Sequence, residues 1–298
     1  MVSHSRRRFL KQSLLVAGSS AFLPSLLRVA RAQEEETGNE DERIVGRKFE
    51  LALKESLQDK PIGDVMKVIG MSFLGAPYAA HILEETGEEH LVINLRGLDC
   101  VSFTENTLAL SRCVKMGTTT FEEYKRQMQL IRYRNGVIDG YPSRLHYFSD
   151  WIGNNVKKGI LRDVTRKIGG ERYRKSINYM TSHRADYRQL SDDGYFQQIG
   201  DMEKDLTVRP HYYIPKGRLH SSQRWIYTGD IIAITSALEG MDIAHTGIAV
   251  RIDGVLKFMH APLVGSEVQI TEKPLVEYLK SHTKQTGVMV ARPLEPRG

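Results

Sequence analysis

A change of periodicity along the chain narrows the fold more than any other feature. After residue 227 the sequence breaks into four β-branched runs, "TGDIIAITS" (Thr228 to Ser236), "AHTGIAVRI" (Ala244 to Ile252), "VLKFMHAP" (Val255 to Pro262) and "TGVMVARPL" (Thr286 to Leu294), each bounded by turn residues. Ile252-Asp253-Gly254-Val255 reads as a hairpin turn, which makes the second and third runs antiparallel neighbours. Ahead of these runs the spacing is mainly helical. Val45, Phe49, Leu53 and Leu57 recur every four residues up to Lys60-Pro61, and "PIGDVMKVIGMSFLGAPY" reads as a short helix and then a turn. "EHLVINL" (Glu89 to Leu95) reads as a strand. From Asp99 a helix is expected, with Val101, Leu108 and the stripe Phe103, Thr107, Leu110, Val114, closing at Gly117; residues 119–134 and 193–206 also read as helical. Helices first and an antiparallel sheet afterwards predict an α+β fold.

The two ends of the composition argument meet at the N-terminus. "SRRRFLK" (Ser5 to Lys11) precedes the mildly apolar "QSLLVAGSSAFLPSLL", and then "ARA" supplies Ala30 and Ala32 for a signal peptidase. The pair Arg6-Arg7 followed by Phe9, Leu10 and Lys11 resembles a twin-arginine export signal. Residues 1–32 are therefore expected to be a signal peptide read by the twin-arginine machinery, with the mature chain starting near Gln33 in the periplasm. Residues 1–32 hold six of the 42 basic residues and none of the 36 acidic ones, so the rest balances at 36 of each. The basic pI belongs to the signal and is no argument for nucleic-acid binding. No later apolar run is long enough to span a bilayer, so no stable membrane anchor is expected. Residues 33–43, "QEEETGNEDER", read as a disordered acidic leader, and 44–298 as a single domain.

The two cysteines, Cys100 and Cys113, lie thirteen residues apart on the expected helix. That spacing corresponds to about 20 Å of helix, far outside disulfide reach. Cys113 reads as a small buried apolar residue. Cys100 is different, because Asp99 is a natural N-cap and Cys100 then stands at the first helical position, where free backbone N–H groups and the helix dipole favour a thiolate. His245 opens one strand and His260 ends the next, so one imidazole can orient the other. Cys100, His245 and His260 thus have the nucleophile, base and orienter logic of acyl transfer. A zinc site is the competing joint reading, weakened by the lack of a close ligand pair. No metal or organic cofactor is expected.

Taken in order, "GAPY" (Gly75 to Tyr78), "LDCVSFTEN" (Leu98 to Asn106), "GDIIAI" (Gly229 to Ile234), "HTGIAV" (His245 to Val250) and "FMHAP" (Phe258 to Pro262) resemble the motif series of the NlpC-type, papain-like cell-wall cysteine hydrolases. The resemblance implies a nucleophile, here Cys100, at the start of a central helix packed on an antiparallel sheet. It implies His245 as base, His260 as its orienter, and Tyr78 beside the nucleophile. The separation of 145 positions from Cys100 to His245 exceeds the spacing of compact members. With "NLRGLDCVSFTEN" and "GYPSRLHYFSDWI", it is more similar to the N-acetylmuramoyl-L-alanine amidase-like branch. That branch implies hydrolysis of the lactyl-L-alanine amide of peptidoglycan or muropeptides. The same superfamily also implies an alternative, a γ-D-glutamyl to diamino-acid endopeptidase, and a non-catalytic peptidoglycan-binding module is the rival of another class.

The added length falls at about 116–215 and reads as a mainly helical insert. It carries ten of the thirteen tyrosines and 17 Lys+Arg against 12 Asp+Glu. Aromatic faces beside arginines suit a ligand that offers sugar faces and carboxylates. Within it, the Pro-punctuated "YPSRLHY" makes Tyr141, Ser143, Arg144 and His146 the candidate substrate contacts, with Arg144 as a carboxylate clamp.

Overall fold

The computed structural model describes residues 40–264 and 266–297. The expected signal peptide and residues 33–39 of the leader lie outside the described residues. Among the described residues no helix is long and apolar enough to cross a membrane.

Among the described residues helix α1 covers 40–54, so the last four residues of the expected disordered leader are helical. What holds them is Asp41, buried, whose carboxylate accepts the Leu95 backbone N–H at 2.9 Å. Val45, Phe49 and Ala52 carry the buried face of α1, whereas Leu53 is 83% exposed. A strict four-residue spacing drifts around a helix of 3.6 residues per turn, so the third step of the stripe falls to Ala52 instead. Leu57 is buried beyond the helix, in a short 3-10 turn.

Helices α2 (Ile62–Met71) and α3 (Cys100–Met116) follow. The latter is the central element. Asp99 caps it with extended backbone, its carboxylate accepting the Ser102 N–H at 2.7 Å while the Ser102 hydroxyl accepts the Asp99 N–H at 2.9 Å. Gly117, at φ 70°, closes it in the left-handed conformation that a side chain would resist. Every residue from Ser102 to Val114 is buried, including polar ones. Glu105 is paired with Arg132 at 2.8 Å and Trp151 Nε1 at 3.1 Å, and Asn106 with the Tyr124 hydroxyl. Arg132 and Tyr124 come from α4 (Phe121–Arg132) and Trp151 from α5 (Phe148–Lys157), so those helices belong to the same core as α3.

Eight strands form one antiparallel sheet: β1 (Leu161–Asp163), β2 (Glu171–Tyr173), β3 (His211–Pro215), β4 (Ile231–Ser236), β5 (Ile243–Ile252), β6 (Val255–His260), β7 (Gln269–Ile270) and β8 (Gln285–Pro293). Their order is β2-β3-β8-β4-β5-β6-β7, with β1 also on β8. The four β-branched runs are β4, β5, β6 and β8, and the β5–β6 turn has Asp253 and Gly254 both at positive φ, the two-residue geometry that matches strand twist. On one face Ile231, Ala233, Ile248, Val250 and Met289 join the core of α2 and α3. The other face, with Ile232, Ala249, Phe258 and Val290, is covered by residues including Leu275 and Leu279 of a short helix, Leu275–Lys280.

One expectation is corrected. Residues 89–95 make no strand: Leu95 N–H goes to Asp41, the Val92 carbonyl to Arg132, and the His90 carbonyl to the Tyr133 hydroxyl at 2.7 Å. Side chains satisfy this extended backbone where a neighbouring strand would otherwise do so. The stretch 116–215 is mainly helical and also supplies β1, β2 and β3. These are strands of three to five residues, too short to show strand alternation; β3 lies between β2 and β8, and β1 and β2 carry the charged Arg162, Asp163, Glu171 and Arg172.

Gly247 shows how closely β5 and β6 approach beside the histidine pair. A Cβ there would lie 2.4 Å from the Met259 carbonyl oxygen and 2.9 Å from the His260 Cβ. Gly247→Ala should therefore lower stability by about 1–3 kcal/mol, the range for forced overpacking. Urea unfolding reads this directly, and an unchanged midpoint would mean that the strands part without cost.

Candidate active site

Because Asp99 spends its side chain on Ser102, the backbone N–H groups of Cys100 and Val101 are left without helical partners and favour negative charge at the Cys100 sulfur. Cys100 Sγ is also approached by the backbone N–H of Thr246, the residue after His245. Against these donors stand burial, the larger effect, and the adjacent Asp99 carboxylate, which together push the thiol up to about 12. The helix start was expected to favour a thiolate, and in the resting site desolvation outweighs it. Cys113 lies in the core, its thiol likewise raised by burial.

His245 Nε2 lies 2.7 Å from His260 Nδ1. Among the described residues Nδ1 of His245 has no hydrogen-bond partner. Burial, and after it the nearby His282, pull His245 down to about 4; His260 is lowered further by burial, His245 and His282. Both rings are therefore neutral at pH 7. At His245 the ladder with β4 shifts register, Ile234 facing His245 and Thr235 facing Ile243, so Ala244 is the extra residue of a bulge. Such bulges re-aim the side chains beside them.

Tyr78 stands beside this group. Its segment is tied down by Leu98 N–H to the Pro77 carbonyl at 2.9 Å, Ala79 N–H to the Leu98 carbonyl at 3.2 Å and Tyr78 N–H to the Ser266 carbonyl at 2.7 Å. Burial, with Cys100 and Asp99 close by, raises the Tyr78 phenol and keeps it protonated. Tyr78 and Asp99 also line a cavity of 390 Å³ whose far wall includes Arg144, His146, Tyr179 and Ile243.

The candidate contacts from "YPSRLHY" divide. Arg144 and His146 reach the cavity wall, whereas Tyr141 is buried behind it and Ser143 caps its own turn, donating to the Gly140 carbonyl and accepting the Asp139 N–H. Arg144, expected as a carboxylate clamp, has its guanidinium against Glu84 at 2.8 Å, Glu89 at 3.4 Å and the Leu83 carbonyl. With its fork occupied, it holds the 83–89 segment that walls the cavity. His146 Nε2 bonds the Tyr141 carbonyl, and burial lowers the ring to about 3, so it is a neutral lining group. Sequence reasoning missed Thr246, because a backbone donor leaves no side-chain signal. Among the described residues no group of three or more His, Cys, Asp or Glu is placed to hold a metal ion.

With this geometry in hand, the chain compares with known proteins as follows. Residues 68–288 match the N-acetylmuramoyl-L-alanine amidase-like family. No curated protein matches. Among solved structures, an N-acetylmuramoyl-L-alanine amidase from Bacteroides uniformis is 40% identical, with a TM-score of 0.75 over 78% of this chain and 99% of that one. A Bacteroides fragilis protein provisionally called a xylanase is 38% identical, with a TM-score of 0.71 over 75% of this chain and 98% of that one. A Legionella pneumophila protein shares the fold at 20% identity, with a TM-score of 0.65 over 89% of this chain and 96% of that one. The chain therefore belongs to the N-acetylmuramoyl-L-alanine amidase-like family.

Proposed function

We propose that this protein is a periplasmic cysteine amidase that hydrolyses the N-acetylmuramoyl-L-alanine bond of peptidoglycan or muropeptides, on a papain-like arrangement of helix and sheet. The observation that carries the reading is the capped helix start: Cys100, between the cavity-lining Asp99 and Val101, meets the Thr246 N–H one residue from a His245–His260 pair 2.7 Å apart. His245 carries its proton on Nε2, donating to His260, and offers Nδ1 as base. As Sγ adds to the lactyl carbonyl, its proton passes to Nδ1. The carbonyl oxygen takes the electron pair and is held by the free N–H groups of the helix start, with the protonated Tyr78 hydroxyl nearby. His245 then protonates the L-alanine nitrogen as the C–N bond breaks, leaving a thioester. Water gives a proton to His245 Nδ1 and adds to the thioester. Collapse breaks the C–S bond, returns that proton to Sγ and releases the lactyl carboxylic acid, which loses its proton to solvent.

A glycosidase reading, raised by the relative called a xylanase, needs two carboxyl groups free to act as acid and base or nucleophile. The carboxylates lining the cavity are engaged otherwise. Glu84 pairs with Arg144, Glu105 with Arg132, Asp99 caps α3, and Asp242 accepts the Ser149 N–H at 2.8 Å and the Ile243 N–H at 2.7 Å. The endopeptidase alternative uses the same thiol at another bond, and the product separates the two.

Mass spectrometry of defined muropeptides should find a free L-alanine amine, and a free diamino-acid amine would overturn the amidase reading. Cys100→Ser should lower turnover by about three orders of magnitude or more, since a hydroxyl is a far weaker nucleophile near neutral pH, while Cys113→Ser stays close to wild type.

The neutral thiol and imidazole set the pH dependence. Protonated His245 cannot accept the thiol proton, so kcat/KM should be lost as pH falls through about 4 and be flat from about 6 to 9, the thiol ionising only near 12. A fall between pH 7 and 9 would mean instead that a preformed thiolate–imidazolium pair is the active form. Replacing Arg6 and Arg7 together by lysine should leave the precursor in the cytoplasm; undiminished periplasmic accumulation would point to another export route.

A further inference from the structure

The orienting histidine is itself held by a residue that the three-residue reading does not include. His260 is 2% exposed and uses Nδ1 on His245. One hydrogen bond at one ring nitrogen leaves the ring free to rotate about that contact, so something else must set its plane. Phe258 packs on it with centroids 4.7 Å apart at 34°, and Tyr278 meets it edge-on at 5.5 Å and 78°. Tyr278 stands on the short helix Leu275–Lys280, packed on the core of that sheet face. It also touches Phe258 at 5.8 Å and His282 at 4.4 Å. Phe258 in turn meets His245 edge-on at 5.7 Å. The two imidazoles thus sit in an aromatic box with Tyr278 as the wall supplied from outside the β5–β6 hairpin.

We infer that Tyr278 is a positioning residue whose ring fixes His260, and through it the tautomer and aim of His245, and keeps water from the pair. The inference rests on the cysteine amidase reading. The Tyr278 phenol is raised by burial and by the proximity of Cys100, and the Gln285 amide lies beside it, so its hydroxyl is protonated and already within the site's own polar surroundings. The groups whose charge reaches the pair are the two histidines themselves on β5 and β6 and His282 after the short helix, while Cys100 on α3 acts on Tyr278. Removing the ring would admit water beside His260. The desolvation that keeps both imidazoles neutral would then weaken, and the acid limb of kcat/KM would move up.

Tyr278→Met tests this, because Met keeps apolar volume for the helix packing but supplies no flat ring; Tyr278→Phe keeps the ring and drops the hydroxyl. The Met variant should lose about tenfold to a hundredfold in kcat, part of the 10²–10⁴ that a positioned base supplies. Its KM should change little, and its acid limb should move upward by about one pH unit. The Phe variant should retain wild-type kcat and acid limb. A folded Met variant with wild-type kcat and acid limb overturns the inference. So does a Phe variant as impaired as the Met variant, since the hydroxyl would then be the acting group. Should the Met variant fail to fold, the Phe variant together with Phe258→Leu, which removes the opposite ring wall, carries the same test: wild-type turnover with an unmoved acid limb in Phe258→Leu overturns the box. Wild-type enzyme that leaves muropeptides uncut marks failure of the amidase reading, not of the positioning.

Discussion

Helix α3 begins where it does because Asp99 and Ser102 exchange side-chain and backbone hydrogen bonds, and much of the rest is arranged around that start. A capping box contributes only about 0.5–2 kcal/mol, yet it decides which backbone N–H groups are consumed and which are left at the sulfur. Burial of the helix from Ser102 to Val114 then converts a local preference into a fixed position, because sliding or fraying would expose side chains from every turn. The hairpin lies beneath that fixed point, and a bulge at Ala244 turns His245 at the place where the Thr246 N–H meets the sulfur.

Two opposed tendencies meet at Cys100. Helix-end dipoles and three backbone donors favour the thiolate, while withdrawal from water and the Asp99 carboxylate favour the thiol. Withdrawal wins because removing a charge from water costs more than a few backbone dipoles return when no cation is present. The same withdrawal keeps the histidines neutral. On the proposed mechanism, charge would develop there only when a substrate carbonyl supplies an oxygen on which the donors can act.

The cavity wall is built by a different device. Residues 83–95 have little regular structure of their own, and they are held by side chains reaching from the following hundred residues: Arg132, Tyr133 and Arg144, with Arg188 and Gln189 near the Glu85 carbonyl. Breaking a buried ion pair costs about 3–5 kcal/mol because it leaves a charge unpaired, so Glu105–Arg132 inside the core ties this wall to α3 as firmly as packing does. The long stretch between Cys100 and His245 thereby becomes part of the same body, sharing its core through Tyr124, Met128 and Trp151.

The order of residues by itself determined the α+β class, the helix from Asp99 to Gly117, the β5–β6 hairpin and the meeting of His245 with His260. Each depends on local periodicity, a cap or a two-residue turn, and those act over a few residues. Tertiary structure alone decided what depends on distant neighbours. Residues 89–95 have a strand's composition but no strand beside them, since their polar groups are met by Asp41, Arg132 and Tyr133. Arg144 has a clamp's chemistry but a structural partner in Glu84, sixty positions earlier. The strands β1 to β3 are too short to announce themselves: β1 and β3 exist because β8 offers an edge to pair with, and β2 because β3 does. Tyr278 looks like any tyrosine on a short helix until folding brings its ring to His260. The thiol's protonation follows the same rule, because a cap can be read from four residues, whereas desolvation is set by every chain segment that excludes water from the sulfur.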